Sequence, residues 1–437
     1  MDKVNVPEEI RNYLSEAYAA AGQWKLPGSR GTHENSKPVD VKTVAVIGGG
    51  TMGRGIAISL CRAGYSTFLV ENDKKALEWC KKELELTYAR EKSLKRYSDE
   101  VVSKLRNGLK LTTDLTLLKD CDLVIEAVFE NMELKKELWG KIERICKPSC
   151  IFGTNTSSLD LNEMSKNLKD RTRLVGIHFF NPAHIIKVVE IVFGDHTSGQ
   201  AVATAFAACD AMRKIAVLVG NCVAFVFNRL LAVYLNQTQK LLYQYGLYPH
   251  IVDQIVTSQG FLMGPLTVAD MNGLDVMEKL KKENNLEMNE LEVIMSKLKR
   301  YGRKTEKGFY KYDSKTQKKQ NDIEVEKTID EISKNRKTNI QLLCDQDVIN
   351  FLLLPMVNEG FLCIEEGVIE GESLIDIMFI FGFGWPPAQG GPMRNGRTFG
   401  LQKVAELVGS WHELEPNDRS YKLSRTLRNA RQATAKL

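Results

Sequence analysis

The segment from Thr43 to Glu71 constrains the fold more than any other part of the chain. Residues 44–47 form a short apolar run that reads as a buried strand, and Gly48-x-Gly50-x-x-Gly53 follows it without a gap. Residues 52–61 then carry a helical pattern, and a second β-rich run ends on Glu71. Each glycine has its own task in a dinucleotide-binding turn. Gly48 allows the tight turn, Gly50 lets the backbone approach a pyrophosphate, and Gly53 lets helix and strand pack closely. The free N–H groups at the helix start face the phosphates. Glu71, 23 residues beyond Gly48, stands where a carboxylate bonds ribose hydroxyls. A 2′-phosphate would meet that carboxylate, with Asn72 and Asp73 beside it and no arginine before Arg90. The expected cofactor is therefore NAD and not NADP.

A chain of 437 residues holds two or three domains, and 26% charged with 43% apolar residues is ordinary for globular proteins. The net charge of +5 suits an anionic metabolite and is too small and dispersed for a nucleic-acid partner. Nine cysteines without a C-x-x-C pair read as reduced thiols. Cys146 and Cys150, the nearest pair, lack companions at zinc spacing, so no metal site is expected. No apolar stretch is read as a membrane span, and the N-terminus does not resemble a signal peptide. The C-terminal Ala435-Lys436-Leu437 resembles the S-K-L address read by the peroxisomal import receptor.

The pattern along the chain predicts an α/β Rossmann-type NAD-binding domain followed by two related all-helical units. Residues 1–40 read as an N-terminal helical arm and linker, and residues 41–220 alternate β-rich and helical runs. Further strands are expected at 123–126, 151–154, 174–179, 188–192 and 216–219. The long charged helical region at 74–104 is read as a solvated pair or a flap over a phosphate-bearing substrate. Residues 221–313 form the first helical unit, 314–337 a charged linker and 338–437 the second unit with its tail. The repeat shows in Asn228 and Asn236, which recur as Asn350 and Asn358, both 122 residues later. Tandem units of this kind bury each other's apolar faces, so a monomer is expected.

Reacting groups in such a sheet gather where strands end at its carboxyl edge. Asn155, Thr156, Ser157 and Ser158 end one strand, and His178 ends another. A hairpin centred near His184 would set position 178 opposite position 190, placing a buried glutamate beside an imidazole. That arrangement fixes the tautomer and raises the basicity of a proton-abstracting histidine. A histidine among apolar residues is otherwise an ordinary core residue. It is the single acid on the facing apolar strand that favours function.

These motifs together resemble the L-3-hydroxyacyl-CoA dehydrogenase family, in the form found in the dehydrogenase portion of peroxisomal bifunctional enzymes. The matching segments are TMGRGIAIS at 51–59, DLVIEA at 122–127, NTSSL at 155–159, HFFNP at 178–182, MGP at 263–265, KGFY at 307–310 and GGPM at 390–393. The resemblance implies NAD-dependent oxidation of an L-3-hydroxyacyl-CoA thioester in fatty-acid β-oxidation, in the peroxisome. It implies that His178 is the base, Glu190 its partner, Ser157 a hydrogen-bond donor to the substrate oxygen and Asn228 a group that holds the reacting atoms. Glu71, Glu130, Lys135, Ser157, Asn181 and Lys304 match positions around NAD. Thr87 falls at a coenzyme A contact, with Lys92 or Lys95 as phosphate partner. The chain departs from the family at Val223 and Ala224, where glycine is usual, at Phe227, at Glu306, again in place of glycine, and at residues 387–389. The hydratase lobe of the bifunctional enzymes has no counterpart in this sequence. The rival readings are a dehydrogenase for a free hydroxy acid and a catalytically weak acyl-CoA- or NAD-binding homologue.

Overall fold

In a strand, side chains alternate between two faces, and residues 44–47 are apolar at every position, so both faces must be covered. The computed structural model shows this arrangement. It describes residues 6–434, apart from 276, 277, 279, 280, 282–286, 335 and 337. The terminal tripeptide lies outside the described residues. The chain divides into two compact units, one of residues 6–228 with 366–383 and one of residues 229–365 with 384–437.

In chain order the first unit contains α1 (Glu8–Gly22), β1 (Thr43–Ile47), α2 (Thr51–Arg62), β2 (Ser66–Val70), α3 (Lys74–Ser93), α4 (Asp99–Gly108) and β3 (Leu109–Thr112). There follow β4 (Leu123–Glu126), α5 (Met132–Ile145), β5 (Ile151–Thr154), α6 (Leu161–Met164), β6 (Leu174–Phe179), β7 (Val188–Phe193), α7 (Gly199–Ala211) and β8 (Ile215–Gly220). The eight strands form one sheet in the order β3-β2-β1-β4-β5-β6-β7-β8. All neighbours are parallel except β6 and β7. Val44 and Val46 join a core with Ile56, Ile58 and Val202, while Ala45 and Ile47 join the opposite core with Trp139, Ile142 and Phe152. The chain leaves β1 towards β2 on one side and reaches β4 on the other. The crevice at the carboxyl ends of β1 and β4 is thus the switch point at which ligands bind in such sheets.

The expected strands are all present, and β3 is an addition. Four residues of which only Leu109 is buried, directly after a helix, gave too short a signal. The charged region at 74–104 is a docked helix pair and not a free flap. Cys80, Leu84, Tyr88, Val102 and Leu105 belong to the core shared with β1 and α2. Residues 7–26 are likewise not a loose arm. Leu14, Ala17, Ala21, Trp24 and Leu26 are buried, α1 lies against β8 and Glu372–Met378, and Tyr13 donates to Asp376 at 2.5 Å. Residues 366–383, read as part of the second helical unit, therefore cluster with the sheet.

The second unit is helical. The succession α8 (Phe225–Tyr243, shared with the first unit), α9 (Pro249–Ser258) and α10 (Pro265–Asn272) recurs in chain order as Asp345–Glu365, Glu372–Met378 and Pro392–Phe399, of which Glu372–Met378 belongs to the first unit. The two long helices are pinned by Arg229 and Glu359, Nε to Oε1 at 2.7 Å. The segment expected to be a linker contains helix Ile323–Ser333, which buries Val325, Ile329 and Ile332. Asp322, at its N-cap, is the buried partner of Arg300. Charge-rich composition concealed an amphipathic helix with its apolar face inward. Contrary to the sequence reading, Asp345–Glu365 is long and apolar enough to cross a bilayer on composition, but 78% of its apolar window is buried in the protein. It is the core helix of its unit.

Two departures from the family pattern fall on left-handed backbone. Ala224 has φ 65° and Glu306 φ 58°, the region glycine enters without penalty. Ala224→Gly and Glu306→Gly should each raise stability by about 0.5–1 kcal/mol, the relief of strain exceeding the entropy gained by the unfolded chain. Denaturant melts of the two variants against the parent measure this.

Candidate active site

The glycine turn has the geometry its spacing requires. Gly48 has φ 99°, and a Cβ there would lie 2.7 Å from the Ala127 carbonyl oxygen. A Cβ on Gly53 would overlap the Gly48 carbonyl. Gly50 is the N-cap of α2 without a capping side chain, and space is open where its Cβ would be. The first-turn N–H groups of α2 are therefore left for an anion. Glu71 follows β2 and accepts from the Gly49 N–H at 2.5 Å, so its carboxylate faces the turn. Arg54, which the sequence reading missed, is buried behind it. It donates to the Gly49 carbonyl at 2.8 Å, meets Glu83 at 3.3 Å and lies over the Trp79 ring. These residues fit a dinucleotide: an uncapped helix, an open glycine and a carboxylate at ribose distance along the sheet edge.

A second cluster sits where β4 and β5 end. Lys135, 1% exposed, donates to Glu126 Oε1 at 2.7 Å and pairs with Glu130 Oε2 at 2.9 Å. Glu126 also accepts from Thr154 Oγ1 at 2.8 Å and from the Val128 N–H at 2.8 Å. Glu130 Oε1 accepts from Thr156 Oγ1 at 2.9 Å, the Ser157 N–H at 2.6 Å and Ser157 Oγ at 3.1 Å. Burial pushes Glu130 up, but Lys135 and the Ser157 amide outweigh it and hold its carboxyl below the ordinary 4.5. Lys135 is thus not a solvated surface lysine. Glu126 was missed, although a single acid on an apolar strand is the same signal that singled out Glu190.

The third cluster is the β6–β7 hairpin. His178 and Glu190 face each other in its register, as the centre near His184 predicts. His178 Nδ1 lies 2.8 Å from Glu190 Oε2, and both side chains are buried. An ionised carboxylate only accepts, so Nδ1 carries the hydrogen and the Nε2 lone pair is left for a ligand. Glu190 Oε1 accepts from the N–H groups of Phe227 at 2.9 Å and Val226 at 3.2 Å, in the first turn of α8. Phe180 and Phe225 set their rings edge-on to the imidazole, at 4.9 and 5.6 Å. Asn155 accepts from the Phe179 N–H at 2.9 Å and fixes β6 against the end of β5.

The remaining expected residues are more scattered. Asn228 is half-buried in the first turns of α8, directly after the amides that hold Glu190. Asn181 is exposed in the loop after β6. Thr87 returns its hydroxyl to the Glu83 carbonyl at 2.9 Å, Lys92 pairs with Asp99, and Lys95 is exposed past the end of α3. Lys304 is not part of the sheet-containing unit. It lies in the helical unit, where it pairs with Asp275. The KGFY motif next to it has a structural cause, since Asp270 accepts from the N–H groups of Phe309 at 2.8 Å and Tyr310 at 3.0 Å.

A doubly wound sheet with a glycine turn and a buried imidazole–carboxylate pair, followed by a helical unit, is the architecture of a dinucleotide-binding protein of two parts. The model of the 3-hydroxyacyl-CoA dehydrogenase NAD-binding domain matches residues 43–222, and that of the 3-hydroxyacyl-CoA dehydrogenase C-terminal domain matches residues 225–312. The dehydrogenase part of multifunctional enzyme 1 from C. elegans is 59% identical, with 97% of each chain covered and a TM-score of 0.75. The peroxisomal bifunctional enzyme of Danio rerio is 36% identical over 93% of this chain, and the Homo sapiens enzyme 33% over 94%. The 3-hydroxybutyryl-CoA dehydrogenase of Escherichia coli, at 22% identity and TM-score 0.74, shares the fold over 91% of this chain and 100% of its own. The chain belongs to the 3-hydroxyacyl-CoA dehydrogenase family. It spans 58% of the length of the Danio rerio relative and 60% of the human one.

Breaking the buried triad tests its weight. Lys135→Met leaves Glu126 buried without its cation and should cost about 3–5 kcal/mol. Glu130, held below its unfolded value, contributes stability above pH 4.5 that is lost as pH falls through its folded pKa. Unfolding midpoints from pH 3 to 7 should therefore show a flatter acid limb in the variant.

Proposed function

We propose that this chain oxidises L-3-hydroxyacyl-CoA to 3-oxoacyl-CoA with NAD, a step of fatty-acid β-oxidation. The observation that carries the reading is the His178–Glu190 pair at 2.8 Å, in the same sheet whose β1 ends in the glycine turn. His178 takes the 3-hydroxyl proton on Nε2. Glu190, pinned by two amides, keeps the Nδ1–H tautomer and stabilises the imidazolium that forms. The chemistry that bound NAD would supply is an acceptor for the hydride leaving C3. Gly48, Gly50 and Gly53 admit its pyrophosphate, Glu71 binds ribose, and Glu130 with Lys135 shapes the wall beyond. Ser157 hydrogen-bonds the substrate oxygen, and Asn228 helps hold the reacting groups. Asn181 and Lys304 are proposed around the cofactor. At the coenzyme A end, Thr87 and the exposed Lys95 are the contacts, with Lys92 engaged by Asp99. The working species is proposed to be the monomer.

His178→Gln should lose about 10²- to 10⁴-fold in kcat and keep its NADH affinity, whereas Glu71→Ala should weaken NADH binding with the base intact. Steady-state oxidation of L-3-hydroxybutyryl-CoA and NADH fluorescence titrations separate the two. A His178→Gln enzyme of near-parental turnover sinks the mechanism.

The peroxisome is the proposed location. Support comes from relatives named peroxisomal or glyoxysomal at 33–36% identity and from the terminal Ala435-Lys436-Leu437. A fluorescent protein carrying residues 426–437 should collect in peroxisomes and lose that pattern without Leu437. A diffuse signal from both rejects the assignment.

A further inference from the structure

His178 and Glu190 meet one rung from the loop end of their hairpin, since the β6–β7 ladder ends there at Phe179 and Val189. The intervening loop, residues 180–187, is held from outside the ladder. Lys214, the residue before β8, donates from Nζ to the Ala183 carbonyl at 2.7 Å and to the Ile186 carbonyl at 2.5 Å. Its ammonium also lies 5.9 Å from the centre of the Phe179 ring, next to His178. Lys214 is buried, and among the described residues it makes no ion pair with a carboxylate. A buried ammonium without a counter-ion is costly. Here the charge is spent wholly on two carbonyls of one loop. The surroundings are built for that contact. A Cβ on Gly55 would lie 3.0 Å from Ala183 Cβ, so α2 approaches the loop closely, and Ser59 Oγ reaches the Ala183 carbonyl at 3.3 Å. The Ile215 N–H in turn donates to the Lys187 carbonyl at 2.7 Å, where β8 joins the strand of Glu190.

We infer that Lys214 is a positioning residue, whose ammonium clamps residues 183–186 and thereby fixes the hairpin end on which His178 and Glu190 meet. This rests on the reading of His178 as the base. Several ionisable groups face the clamp: Arg62 from α2, Glu91 from α3, His184 from the loop itself, and Cys209 and Asp210 from α7. Burial pushes Lys214 down to about 8, with Cys209 opposing and Arg62 adding to the fall. Deprotonation weakens both donors, so the clamp loosens as pH rises through that value. Burial also lowers His184, whose Nε2 stands 3.6 Å from Glu91, so its charge is gained only towards acid pH.

The test uses the full chain in steady-state oxidation of L-3-hydroxybutyryl-CoA from pH 6 to 10, with Lys214→Met and Lys214→Arg beside the parent. Lys214→Met should lose about 10- to 100-fold in kcat, the scale of a small misplacement of reacting groups. Its KM and NADH affinity should stay within about threefold, a split that general destabilisation would not produce. The parent's kcat should fall above about pH 8, where Lys214 loses its proton. Lys214→Arg, which stays charged, should retain turnover and lack that fall. An active parent beside a Lys214→Met enzyme of equal kcat and identical pH profile overturns the inference alone. A parent that turns over no 3-hydroxyacyl-CoA overturns the proposed function and this inference with it. If neither variant folds, Lys214→Gln, which keeps a side-chain N–H donor there, is measured instead: a lowered kcat at parental KM upholds the clamp, and parental kinetics remove it.

Discussion

A fully buried carboxylate cannot remain charged in a protein core without donors to meet it. Glu190 is 0% exposed, and its two oxygens meet three donors: the imidazole N–H of His178 and the amides of Val226 and Phe227. Much of the first unit's local structure follows from satisfying that group. The imidazole is turned with Nδ1 inward. The chain leaving β8 must swing back so that α8 begins over Glu190. The aromatic residues beside those donors, Phe180, Phe225 and Phe227, then wall the pair off from water, with Phe180 and Phe227 centred 4.3 Å apart. In such a dry enclosure a charge-assisted hydrogen bond is stronger than in water.

Bringing two amides to one oxygen requires irregular backbone. Ala224 and Phe225, directly before those amides, both have positive φ, at 65° and 51°. A carboxylate that gathers two backbone amides recurs at three other junctions of the chain. Asp122 accepts from the N–H groups of Lys42 and Thr43 and so sets the start of β1. Asp253 accepts from Leu266 and Thr267 and caps α10. Asp270, pushed up to about 6 by burial, gathers the amides of Phe309 and Tyr310 and the Tyr312 hydroxyl, close to the left-handed Glu306. At each junction one buried acid supplies the partners that neither helix nor sheet provides.

How much of this could be read beforehand depended on the range of the signal. The strand–glycine–helix unit is local, so residues 43–71 announced themselves, and seven of the eight strands were legible as apolar runs. The pairing of His178 with Glu190 was also legible, because in a hairpin two-residue periodicity and loop length fix which residues face each other. The helix at 323–333, the docking of α1 and the attachment of residues 366–383 to the sheet were not. Their apolar faces are sparse, and what covers them lies far away in sequence, as with Tyr13 and Asp376. Arg54 and Lys214 were missed because their burial depends on how the chain folds around them. Each looks like an ordinary charged residue until its partners are known.

The sequence alone determined the class of fold, the family with its NAD-binding domain, and the facing of His178 by Glu190. All of these rest on spacing within one element or between neighbouring ones. Only the tertiary structure decided which charges are buried. Burial of Lys135 between Glu126 and Glu130, of Arg54 behind the glycine turn and of Lys214 over the hairpin loop depends on distant segments closing around them. Composition cannot report that closure, because the same lysine is a solvated surface group or a buried clamp according to what the rest of the chain places above it.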